Sequence, residues 1–112
     1  MGKIMDNIPK DWKLKLRYGK LQTPYHHFTV IIDGFAEKEI EDFNCPKGFA
    51  FMRIKVWAED YDMAADMACS LAENIGFKVK QSNGVYIYNT EPEQPPQEHP
   101  VGYDIGFTPY NE

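Results

Sequence analysis

The sequence predicts an α+β two-layer sandwich, a mainly antiparallel sheet of four to six strands with one helix on one face. Three observations carry this expectation. One segment, Asp60 to Gly76, has helical spacing and both capping signals. Several other segments alternate apolar and polar residues with the period of two that a half-buried strand needs. The order of these segments places a single helix among strands, and one helix can cover only one face of a sheet.

In chain order, the first strand is expected at 12–18, where Trp12, Leu14, Leu16 and Tyr18 alternate with Lys13, Lys15 and Arg17. The second lies in "YHHFTVIIDG" (25–34), rich in β-branched residues. The third, "AFMRIKVWAE" (50–59), sets Ala50, Met52, Ile54, Val56 and Ala58 against Phe51, Arg53, Lys55, Trp57 and Glu59. The helix follows. Asp60 is its expected N-cap, and Ala64, Met67, Ala68, Leu71 and Ile75 form its apolar stripe. Gly76 supplies the left-handed position beyond its end. After it, "FKVKQSNGVYIYN" (77–89) reads as two strand pieces across Asn83-Gly84, joined by a type I′ turn or by a bulge in one long strand. The segment 91–100, "EPEQPPQEHP", holds four prolines that cannot donate to a ladder, and is expected as an extended loop. "GYDIGF" (102–107) is the last strand, with Tyr103, Ile105 and Phe107 on one face and Asp104 on the other.

A chain of 112 residues is the size of one domain. Residues 1–11 are expected as a flexible N-terminal arm and 12–112 as a single α+β domain. The start of the chain has no apolar leader-like core, and no apolar run reaches the roughly 18 residues a spanning helix needs. A cytoplasmic protein is the expectation. Cys45 and Cys69 belong to no CxxC pair and are expected to be reduced and structural, although Cys45, before a Pro-Lys-Gly turn, could also be exposed and reactive.

Charge excludes some partners. The net charge of −5 repels nucleic acid and anionic lipid at long range. It is also uneven. Residues 1–20 carry six bases against Asp6 and Asp11, whereas 89–112 carry Glu91, Glu93, Glu98, Asp104 and Glu112 with no base. The two ends could attract each other, within one chain or between subunits.

The paired histidines do not make a metal site. Strand neighbours point to opposite faces, so His26 joins Phe28, Val30 and Ile32 while His27 joins Thr29, Ile31 and Asp33. His26 is expected at the strand start, half covered by the core edge, and His27 in solvent or at an interface. His99 stands alone in the proline segment. No zinc, phosphate-loop, dinucleotide or nucleophile-elbow motif is present, and no cofactor is expected. An enzyme or small-molecule binder would need a pocket at the sheet edge, with His26, Tyr103 and Asp104 as its candidate residues; Asp33 is a further acid-base candidate.

The stronger candidate is a surface. With the helix over Ala50, Met52, Ile54 and Val56, the opposite face shows Phe51, Arg53, Lys55 and Trp57, with Tyr86 and Tyr88 from "VYIY" nearby. An open sheet face is normally polar. One bearing Trp, Phe and Tyr beside Arg reads as a protein-binding face, with Phe51, Arg53, Trp57, Tyr86 and Tyr88 as anchors and a second copy of the chain as first partner. In such a dimer the acidic C-terminal segment would neutralise Arg53 and Lys55 across the two-fold axis. The competing expectation is that the N-terminal arm, or the loop from Phe35 to Phe43, covers this face. An acidic chain is not expected to stack on nucleic acid, and no membrane contact is expected.

"LRYGKLQTPYHHFTV", "YIYNTEPEQPP" and "GYDIGFTPY" resemble segments of small bacterial proteins of the kind carried on integron gene cassettes. The resemblance covers most of residues 16–112. It implies a mobile accessory gene and often an oligomer, and it assigns no functional residue.

Overall fold

The computed structural model describes residues 10–80 and 84–110. Its elements in chain order are helix α1 (Trp12–Arg17), strand β1 (His26–Ala36), a 3₁₀ turn (Glu41–Phe43), β2 (Gly48–Ala58), helix α2 (Tyr61–Asn74), β3 (Phe77–Val79), β4 (Val85–Asn89) and β5 (Val101–Pro109). The five strands form one antiparallel sheet in which β2 separates β1 from β5, and β3 and β4 both lie on the far side of β1. The α+β architecture is as expected.

The spine is the β1–β2 pair, eleven residues each, running from His26 opposite Ala58 to Ala36 opposite Gly48. Alternation sends Phe28, Val30, Ile32, Met52, Ile54 and Val56 to one face, where all are buried. Burying one such side chain is worth about 1.5–3 kcal/mol. Helix α2 covers them. Asp60 caps it by accepting the Met63 N–H at 2.9 Å, and Gly76 follows it at φ +95°. Its buried residues are Ala64, Ala68 and Ala72, at i, i+4 and i+8, with Met67, Leu71 and Ile75 packed around them. Small side chains let the helix axis approach the sheet. Gly102 on β5 helps, because a Cβ there would stand 2.9 Å from Ile54 Cδ1 and 3.2 Å from Leu71 Cδ1.

Two expectations are corrected, and one open alternative is decided. Trp12–Arg17 is a helix, not a strand. The segment has no β-branched residue, its Leu, Lys and Arg favour helix, and Gly19 (φ +75°) ends it with paired bonds from Gly19 N to Leu16 O and from Lys20 N to Lys15 O. Next, β3 and β4 do not pair with each other as a hairpin. They follow one another along the same edge of β1, with Lys80 N–H donating to Asp33 O between them, so they are one interrupted strand line. Asn83 itself lies outside the described residues, as do residues 1–9 of the expected arm.

The last correction sets the functional geometry. Tyr103 does not share a face with Ile105 and Phe107. Tyr103 pairs with Lys55 and Gly106 with Arg53, so β5 carries an extra residue between them, and Asp104 sits there at φ +59°. A bulge inverts strand parity. Beyond it Phe107 packs on Phe77 and Phe43 in the core layer, while Tyr103 turns to the opposite face. The loop 37–47 also stays on the core side, with Cys45 fully buried in a bridge to Ile40.

Candidate functional site

The helix-free face of the sheet divides into a covered half and an open half. The covered half begins at His27 and Trp57, register partners whose rings meet edge-on at 5.0 Å. The segment after β4 lies across them. Trp57 Nε1 donates to Gln94 O at 3.0 Å, and Trp57 is only 2 % exposed. Trp57 is therefore not a surface anchor, contrary to expectation; the proline-rich segment, rather than the Phe35–Phe43 loop, lies over it, and residues 1–9 of the arm are outside the described residues.

His27 is buried too, not solvated, and each of its ring nitrogens has a partner. Nδ1 lies 3.1 Å from Thr90 O and from Thr90 Oγ1, and Nε2 lies 2.8 Å from the Tyr103 hydroxyl. The same hydroxyl accepts the N–H groups of Glu93 (2.9 Å) and Gln94 (3.3 Å). Burial lowers the His27 pKa below its ordinary value, and the positive Lys55 acts the same way, against the Thr90 carbonyl and Glu93. A neutral imidazole held on both sides is a structural tie.

Beside this tie stands a chain of ion pairs. Lys55 Nζ lies 2.6 Å from Glu93 Oε1 and 2.9 Å from Asp104 Oδ2, and Arg53 reaches Asp104 at 3.5 Å. The bulge at Asp104 aims its carboxylate at these bases. The C-terminal acids thus neutralise Lys55 and Arg53 within one chain, where the dimer expectation had placed them across an axis. The basic N-terminal region and the acidic C-terminal region also meet, in an exposed Arg17–Glu91 pair at 3.8 Å.

The expected pocket residues do not converge. His26 is exposed at the start of β1 on the α2 side, whereas Tyr103 and Asp104 face the other way and bond to His27 and Lys55. An open cleft of about 480 Å³ does adjoin His26 and His27, lined also by Leu16, Tyr25, Asn89 and Thr90. Among the described residues no three His, Cys, Asp or Glu side chains are grouped to hold a metal ion. Asp33 accepts from the Tyr110 hydroxyl and lies 3.8 Å from Lys80. Cys45 is buried, with its pKa raised by that burial.

The open half carries the aromatic surface. Phe49, Phe51, Tyr86 and Tyr88 are exposed by 38–53 %, on strands β2 and β4. Tyr110, just past β5, stacks on Phe51 at 5.2 Å and touches Phe49 at 5.8 Å. Phe51, Arg53, Tyr86 and Tyr88 occupy the face expected of them; Phe49 and Tyr110 join them. Phe49 was legible as the next odd position on β2, whereas Tyr110 follows a proline and gave no periodic signal.

Comparison with protein-family models, curated proteins and solved structures finds no match to this chain. No helix among the described residues is long and apolar enough to cross a membrane.

Proposed function

We propose that the protein is a non-enzymatic, cytoplasmic accessory protein that acts as a protein-binding module, with a second copy of itself as the first partner. The observation carrying this reading is the uncovered aromatic half of the sheet: Phe49, Phe51, Tyr86, Tyr88 and Tyr110. Patches of this kind on a helix-free sheet suit face-to-face packing of two sheets. The charges bordering the patch are already paired, Arg53 with Asp104 and Lys80 with Asp33. A second copy would therefore bring no uncompensated charge to the contact, although the two bodies, each of net charge −5, repel elsewhere. The resemblance to integron cassette proteins, with their frequent oligomers, points the same way.

Light scattering coupled to size exclusion tests it. The expected mass is twice the 13.0 kDa of the chain at tens of micromolar, falling to the monomer for Phe51→Ser with Tyr86→Ser. A clean wild-type monomer, or a dimer indifferent to both substitutions, overturns the reading. Trp57 is unsuitable for this test, since its removal would cost folding rather than association.

A second reading, a small-molecule-binding protein, has one observation in its favour. The cleft of about 480 Å³ beside His26 falls within the size range of ligand pockets. Chemical-shift changes confined to Tyr25, Asn89 and Thr90 on adding a fragment mixture would favour it over docking.

A further inference from the structure

We propose that His27 is a proton-operated latch, which holds the segment Thr90–Pro96 closed over Trp57 at neutral pH and releases it in acid. This inference does not depend on what docks on the aromatic half.

The hydrogen-bond partners around His27 favour one tautomer, because of the two Thr90 oxygens 3.1 Å from Nδ1 the hydroxyl can donate or accept but the carbonyl only accepts. Nδ1 therefore carries the hydrogen. Nε2 then offers a lone pair and takes the hydroxyl hydrogen of Tyr103. The Tyr103 oxygen is thereby turned to accept Glu93 N–H and Gln94 N–H. One imidazole thus sets the orientation of the hydroxyl that pins two consecutive backbone amides. The neighbouring Trp57 indole secures the carbonyl of Gln94.

A proton added to Nε2 breaks this arrangement. Nε2–H and the Tyr103 hydroxyl hydrogen would point at each other, and the hydroxyl could turn only towards the two amide hydrogens. Either His27 or both amides must lose a partner inside a buried contact, which costs far more than the same loss in water. The charges facing His27 do not relieve this. Lys55 on β2 opposes a second cation. Glu93 of the segment could favour it but is held by Lys55 at 2.6 Å, and Asp104 of β5 is held by Lys55 at 2.9 Å. On β1 itself, Thr29 is uncharged, and His26 points to the other face. From α1, Lys13 acts on Glu93 and Arg17 pairs with Glu91, so neither offers His27 a counter-charge.

In the released state His27 regains the ordinary value of about 6.5, while the closed state holds it lower. The latch is therefore at full strength above about pH 6.5 and weakens as pH falls below it, down to the lowered value of the closed form. The released piece is local. Glu91, Glu93 and Gln94 are exposed and the segment is proline-rich, whereas Val30 and Ile54 beneath the other face are fully buried. Release uncovers the Trp57 indole and extends the exposed aromatic face along β2.

Amide hydrogen exchange followed by NMR tests this in the full chain, with exchange corrected for its intrinsic pH dependence. From about pH 7 to 5, protection of the Glu93 and Gln94 amides and of the Trp57 indole should fall severalfold. The midpoint should follow the His27 imidazole, and the Val30 and Ile54 amides should keep their protection. The effect should persist in the double variant His26→Gln with His99→Gln, which removes both exposed histidines. Unchanged protection of Glu93 and Gln94 overturns the proposal. So does a fall shared by Val30 and Ile54, or one that disappears in the double variant.

Discussion

His27 Nε2 and the Tyr103 hydroxyl lie 2.8 Å apart, joining residues 76 positions apart in sequence. Tyr103→Phe removes the donor to Nε2 and the acceptor for Glu93 and Gln94 together. The loss should be about 1–3 kcal/mol, the usual cost of stranding a buried polar group. Urea unfolding at neutral pH measures it. A change within error of zero would show that water replaces the hydroxyl without penalty.

Gly34 faces β3 with no room for a side chain. An added Cβ would stand 2.1 Å from Lys78 O and 2.8 Å from the Phe77 ring. The carbonyl is backbone in a strand and cannot swing aside. Gly34→Ala is expected to destabilise by about 1–3 kcal/mol or more, as overpacked core sites do. Gly84→Ala makes the milder comparison, with its nearest atoms at 3.3 Å. Equal unfolding midpoints for the two variants would contradict this.

Asp60 should behave as an N-cap. Its carboxylate accepts Met63 N–H at 2.9 Å, and its backbone is extended, as an N-cap requires. Asp60→Ala should cost about 1 kcal/mol and Asp60→Ser much less. Thermal melts of the two variants separate loss of the cap from loss of charge.

The ion pairs predict a separate acid response. Lys55, through a hydrogen bond first, holds Asp104 below the usual carboxylate range. A depressed carboxylate contributes stability that is complete above its unfolded value, about 3.9, and is lost as pH falls through the lower folded value. Lys55→Met should therefore unfold more easily than the wild type at about pH 5, with the gap narrowing towards pH 3. This window lies below that of His27. A gap independent of pH would assign the effect to packing of the Lys55 stem.

Cys45 and Cys69 should differ in reactivity. Burial raises the pKa of each thiol, but Cys45 is fully buried while Cys69 is only partly so. Alkylation at neutral pH should modify Cys69 first and Cys45 only on unfolding, as peptide mass mapping would show. Prompt labelling of Cys45 in folded protein would contradict the closed Ile40–Cys45 turn.

The sequence by itself determined what depends on neighbours along the chain. The cap and end of α2 follow from Asp60 and Gly76. The faces of β1 and β2 follow from alternation, so the divergence of His26 and His27, and the outward placing of Phe51, Arg53, Tyr86 and Tyr88, were legible. Tertiary structure alone decided what covers those faces. One residue at positive φ, Asp104, reverses the parity of β5 and brings Tyr103 to His27. Nothing in "GYDIGF" announces that reversal, because a bulge is defined by the partner strand and not by its own period. Trp57 and Phe51 share one face of one strand and have the same local pattern. Trp57 is buried where the segment carrying Gln94, 37 residues away, crosses it and accepts its indole N–H. Periodicity says which way a side chain points; a contact with a distant segment decides whether water is still there.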